Sequence, residues 1–146
     1  MDGSGCSPAS ETDHRVFRTI LLWLLAAIYV PFGVLHIAAS HSFLPIMPPP
    51  LPFKLQLIVF TGACEIGGGI GLLVPRTRRM AAIWLAIYAL CVWPANIYQA
   101  LWRVHVPPPP DSWWYHGPRL AFQPVLVWWP LFAAGVTDWP FRTAAR

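Results

Sequence analysis

Long apolar runs separated by short polar or proline-rich breaks set the pattern of this chain. The runs are Phe17 to Ala38, Leu55 to Val74, Met80 to Leu101 and Leu120 to Val136. A helix crossing the hydrocarbon of a bilayer needs roughly 20 residues, with about 17 as the lower limit. Each run therefore predicts a spanning helix, and the last is the shortest. Backbone polar groups facing lipid must be satisfied within the segment, which favours helices over irregular chain. The expected fold is all-α: a four-transmembrane-helix bundle over residues 17–136, with helices at about 17–38, 55–74, 80–101 and 120–136. A flexible polar tail, 1–16, precedes it, and a short tail, 137–146, follows.

The breaks differ in chemistry. The first, Ser40 to Phe53, holds Pro45, Pro48, Pro49, Pro50 and Pro52 among Phe43, Leu44, Ile46, Met47 and Leu51. Proline at this density excludes a regular helix, and the apolar residues suit a segment folded onto the mouth of the bundle. The third, Trp102 to Pro118, carries Pro107 to Pro110 and then Trp113, Trp114 and Tyr115, an aromatic belt at a membrane interface. The second, Pro75 to Arg79, is short and holds three arginines. Basic residues stay on the cytoplasmic side. Arg15, Arg18, Arg76, Arg78, Arg79, Arg142 and Arg146 then share that side, against Lys54, Arg103 and Arg119 on the other, so both termini are expected to be cytoplasmic.

Composition agrees: 56% of the 146 residues are hydrophobic and only 11% charged, against a usual charged share of about a quarter. The first run is longer than the ~7–15-residue core of a signal peptide and follows a tail of mixed charge, so an uncleaved helix is expected. The net charge of +4 follows from the arginine bias and calls for no nucleic acid. Cys64 and Cys91 fall at similar depth in neighbouring helices, which admits a pairing, although buried cysteine more often fills space. His36 and Glu65, without a second carboxylate or clustered cysteines in the apolar runs, make only a weak case for a metal site, and none is expected.

Glu65 is the one charged group inside the second run. An ionised carboxylate away from water needs a partner, a water-filled cavity or a proton. Counting from Pro75 at 1.5 Å per residue puts it about 15 Å deep, near the midplane. His36, Asn96, Arg119 and Gln123 fall in the outer half of the other runs, with Tyr29, Gly33 and His36 on one face, Asn96 with Gln99 on another, and Arg119 with Gln123 on a third. The expectation is one polar set open to the outside, with Glu65 as its floor and Asn96, Gln123, Arg119 and His36 as its walls and entrance. Structural roles stand beside it: Asn96 and Gln123 as interhelical glue, His36 and Arg119 as interfacial polar tips, and Glu65 in a plain bond to Arg119 or His36. Ala63, Gly67 and Gly71 form a small-residue stripe suited to close helix approach.

Several motifs in order resemble the DoxX family of small bacterial membrane proteins: Gly33-Val34-Leu35-His36, the loop Phe43 to Pro52, Gly62 to Pro75 with Arg76-Thr77-Arg78-Arg79, Pro94-Ala95-Asn96-Ile97-Tyr98, and Arg119 with Gln123 before Trp128-Trp129. The resemblance implies a multi-pass protein of a bacterial inner membrane, associated with redox complexes. No Cys-x-x-Cys or haem-ligand pair is present for electron transfer by the chain itself. The resulting expectation is an accessory subunit of a membrane redox system. Its candidate ligand-binding or proton-exchange residues are His36, Glu65, Asn96, Arg119 and Gln123, its ligand a quinone-like or amphipathic small molecule, and no residue is assigned as catalytic. Its expected partners are the lipid bilayer, redox-complex subunits and a second copy of itself. Two alternatives stay open: a small proton-coupled transporter and a non-catalytic structural scaffold.

Overall fold

The computed structural model describes residues 8–102, 104 and 112–139. Their regular structure is entirely helical: α1 (Pro8–Ala38), a 3-10 segment (Ser40–Ile46), α2 (Lys54–Leu73), α3 (Arg78–Trp102) and α4 (Trp113–Ala133). Three of these, from Thr12 in α1, α2 and α3, are long and apolar enough to cross a membrane.

The outer surface is inside out relative to a water-soluble protein. Met80, Trp23, Phe60 and Leu101 are among many large apolar side chains that face outward, with Met80 71% exposed. The buried core is narrow and small-sided: Leu22, Leu25 and Tyr29 of α1, Leu72 of α2, Ala81, Ala82 and Leu85 of α3, and Ala133 of α4.

The helices form a ring. α1 packs most extensively on α2, α2 on α3, α3 on α4, and α4 returns to α1. α2 and α4 lie on the diagonal and share no extended interface. The ring closes at one end through an ion pair between Arg18 and Asp138, with the Arg18 guanidinium 5.0 Å from the centre of the Phe132 ring.

Local sequence explains the ends. α2 stops at Leu73, before Pro75. The following turn caps it: the Thr77 hydroxyl donates to Gly71 O at 3.0 Å, and Arg78 Nε donates to Leu72 O at 3.0 Å. Cations near a helix C-terminus also complement its dipole. α4 ends in a Schellman motif, with Gly135 at φ 69°, Gly135 N bonded to Phe132 O at 3.1 Å and Val136 N to Leu131 O at 2.8 Å.

Two helices differ from the sequence expectation in their boundaries. α1 begins at Pro8, within the stretch read as a tail. α4 begins at Trp113, seven residues before the expected start at 120, and ends at Ala133 rather than 136. The Trp-rich stretch read as connection is thus the first turns of a helix that accommodates Pro118, Pro124 and Pro130. Pro107 to Pro110, Cys6 and the 140–146 part of the C-terminal tail lie outside the described residues. Cys64 and Cys91 are free thiols.

Candidate functional site

The closest approach of two helices sets the first polar cluster. A Cβ on Gly33 would stand 2.6 Å from the Gly62 carbonyl oxygen, and one on Gly62 would stand 2.7 Å from that of Gly33. Only glycine permits this reciprocal backbone contact between α1 and α2. Beside it, a Gly33 Cβ would meet Glu65 Cβ at 3.0 Å, and a Gly62 Cβ would meet His36 Cβ at 3.0 Å. The missing side chains leave the room in which two long ones meet.

Glu65 is 6% exposed. Its Oε2 lies 2.7 Å from His36 Nδ1, and its Oε1 accepts the Tyr88 hydroxyl at 2.7 Å. One carboxyl group therefore joins three helices. The Phe43 ring, from the 3-10 segment, lies edge-on to His36 at 4.6 Å and covers it. Tyr29 packs edge-on to Tyr88 at 6.4 Å, and its buried hydroxyl has no hydrogen-bond partner among the described residues.

This geometry holds a proton in more than one place. A neutral His36 with hydrogen on Nδ1 donates to the carboxylate, and a protonated His36 forms an ion pair with it. A protonated Glu65 can instead donate to a bare Nδ1. Tyr88 retains an acceptor on Oε1 throughout. The proton can therefore move without any helix losing its bond.

The second cluster lies between α3 and α4. Arg119 Nη1 donates to Gln99 Oε1, and Nη2 donates to Asn96 Oδ1 at 2.6 Å. Asn96 Nδ2 passes a bond to Gln123 Oε1 at 3.3 Å, and Gln123 Nε2 ends the chain on Ala89 O at 2.5 Å. Arginine only donates, so the amide oxygens must face it and the amide nitrogens must point onward. Gln99 Nε2 points to Val104 O at 3.5 Å. The guanidinium lies 5.8 Å from the centre of the Tyr115 ring.

The expected single set is thus two. His36 and Glu65 come together; Asn96, Arg119 and Gln123 form the other group, and the two networks share no residue. Of the two partners open to Glu65, His36 is the one it takes. The split follows from the ring, because Glu65 on α2 and Arg119 with Gln123 on α4 stand on its diagonal. α3 is their common wall, giving Tyr88 to one and the Ala89 carbonyl to the other.

Tyr88 is a member that sequence reasoning did not name, and Gln99 one that it placed on the Asn96 face without counting it among the site residues. Tyr88 continues the Ala81, Leu85 stripe at i, i+4 and i+7, the signal that would have turned its hydroxyl into the core. Gln99 shares a face with Asn96, a spacing visible in the sequence. The small-residue stripe also needs correcting. Ala63 and Gly67 face outward, and a Cβ on Gly67 would meet nothing within 4 Å. The packing glycines are Gly62 and Gly69 against α1, and Gly68 against Leu85 and Gly71 against Ala81 of α3, so Gly71 alone of the expected stripe lies at a helix contact.

No curated protein and no solved structure matches the chain. A family model does match, over residues 25–134, and it is described as Domain of unknown function (DUF8561). This overturns the resemblance to DoxX. Many of the residues that suggested it are glycines and prolines, which are frequent in membrane helices generally. The redox association rested on that resemblance and has no other support. The matched region takes in both polar clusters and most of the chain, which therefore belongs to the family defined by Domain of unknown function (DUF8561).

Proposed function

We propose that the chain is a four-span membrane protein with both termini cytoplasmic, in which His36, Glu65 and Tyr88 form a proton-exchanging site of a small proton-coupled carrier. α4 is the fourth span in this reading. Its 21 residues make about 31 Å of helix, close to the hydrocarbon thickness. His116, Arg119 and Gln123 lower its hydropathy, yet Arg119 and Gln123 bond inward to α3 and Asn96 rather than face lipid. The Arg18–Asp138 pair holds the start of α1 and the exit of α4 at one end, as an even number of spans requires.

The bonding of Glu65 carries the proposal. Both oxygens of a buried acid hold ionisable donors, and the donors come from two different helices. A change of protonation or occupant at Glu65 therefore acts on the α1–α2 and α2–α3 contacts together. Intramembrane acids with such partners mark proton and substrate pathways. Below Glu65 the fully buried Leu25, Leu72 and Leu85 seal the bundle, whereas the His36 side chain is 22% exposed. Access is from the His36 side in this state.

Proteoliposomes containing a pH-sensitive dye test the reading. The wild type is expected to move protons across the membrane when a permeating solute is supplied from a panel of small polar compounds, and Glu65→Gln to abolish that movement. Equal flux in the two proteins would overturn the carrier. A structural scaffold is the second reading, favoured by the three-helix span of the Glu65 bonds. It predicts reduced thermal stability for Glu65→Gln, with no solute-dependent flux in either protein.

A further inference from the structure

The Arg119 cluster holds a cation without neutralising it. Among the described residues no carboxylate pairs with Arg119: Glu65 is bonded to His36 and Tyr88, and Asp138 to Arg18. The groups that hold the guanidinium, Gln99, Asn96 and the Tyr115 ring, carry no net charge. An aspartate at 96 or a glutamate at 99 would occupy the same space and quench the charge at once. In place of either, the chain sets a run of amides, Arg119 to Asn96 to Gln123 to the Ala89 carbonyl, whose dipoles fix the guanidinium plane.

The hydrogen-bond inventory points the same way. A guanidinium has five N–H donors, and the bonds to Gln99 and Asn96 use one on each Nη. The Nε hydrogen and one hydrogen on each Nη remain, in the planar fork that matches phosphate and carboxylate oxygens. The level is also informative. Gln99 is three residues from the end of α3, and Trp113 and Trp114 open α4 with Trp114 91% exposed. Tryptophan in that setting marks the interface, where phospholipid phosphates begin.

We infer that Arg119, held by Asn96 and Gln99, is a binding site for a phosphate group at the membrane interface. Two sources share this chemistry, a phospholipid headgroup and a free phosphate, and the site is independent of Glu65.

The test uses the full chain in a non-phosphate detergent at constant chloride. One arm titrates inorganic phosphate by calorimetry; the other counts phosphatidylglycerol retained against neutral phosphatidylcholine by native mass spectrometry. Binding in either arm is expected for the wild type, at least tenfold weaker in Arg119→Gln. Asn96→Asp is the decisive variant, since it keeps the guanidinium and supplies an internal counter-charge. It is expected to lose binding at least tenfold while its melting temperature holds or rises. Binding in the first arm alone identifies a free anion, and in the second alone a lipid; both support the site. Failure of the wild type in both arms overturns it, as does undiminished binding in Asn96→Asp.

Discussion

The two polar clusters share a wall, α3, yet are built on opposite principles. The one at Glu65 contains an acid, an imidazole and a phenol, each able to gain or lose a proton, and its bonds tie α1, α2 and α3 together. The one at Arg119 contains a cation that keeps its proton under all ordinary conditions, fixed by amides that do not titrate. In the proposed reading protons act on the first cluster, and anions on the second. A membrane interior makes either arrangement costly, so the absence of shared residues allows each to be perturbed alone.

The hardest blow to this contrast falls on the glycine contact beneath the first cluster. Gly62→Ala places a methyl group 2.7 Å from a backbone oxygen that cannot swing aside. A loss of about 3 kcal/mol is expected, read as a collapse of the folded fraction in thermal unfolding, whereas Gly67→Ala should be tolerated. If Gly62→Ala melted like the wild type, the helix approach that positions His36 against Glu65 would be wrong.

Glu65→Gln comes next. The amide oxygen can keep the Tyr88 hydroxyl, but the amide nitrogen can only donate towards His36 Nδ1, so the pairing of carboxylate with an imidazole N–H is lost, at a cost of about 2 kcal/mol. Pairing it with Gln123→Met in a double-mutant cycle asks whether the clusters are independent. Separate networks should give additivity within about 0.5 kcal/mol. A larger coupling would show that the neighbouring positions Tyr88 and Ala89 transmit strain along α3.

The two tyrosines sharpen the picture within the first cluster. Tyr88→Phe removes a bond to the carboxyl group and should destabilise by about 1.5 kcal/mol, whereas Tyr29→Phe removes a buried hydroxyl without a partner among the described residues and should stabilise by about 1 kcal/mol. Opposite signs in chemical denaturation are the expected result. Destabilisation by Tyr29→Phe would reveal a partner for that hydroxyl.

The smallest effect belongs to Phe53, which caps α2 in the left-handed region at φ 52°. Phe53→Gly should relieve about 1 kcal/mol of backbone strain, raising the melting temperature slightly without touching either cluster.

Much of the architecture was legible because the bilayer imposes it. α2 and α3 lie within two residues of their expected ends, since Pro75 and the arginine turn punctuate them on one side and apolar run-length on the other. α4 was harder. Pro118 and the tryptophans before it read as connection, and only packing against α3 shows that helix continues through them. At the site, Glu65 announced itself by its cost, and the His36 face by spacing. That Glu65 would take His36 rather than Arg119 was not legible, since depth counting places residues along the membrane normal and says nothing about which helices adjoin.

The sequence alone determined that this chain is helical and built for an apolar solvent, that α2 buries an acid, and that polar groups sit on three other helices. Those are consequences of run length, composition and the cost of a charge away from water. The tertiary structure decided the rest: the helices close as a ring with α2 and α4 on the diagonal, so one supposed pocket divides into a proton-bearing cluster and a fixed-charge cluster. Which neighbours a helix acquires depends on the fit of small surfaces such as Gly33 on Gly62, and that fit exists only once both helices are in place.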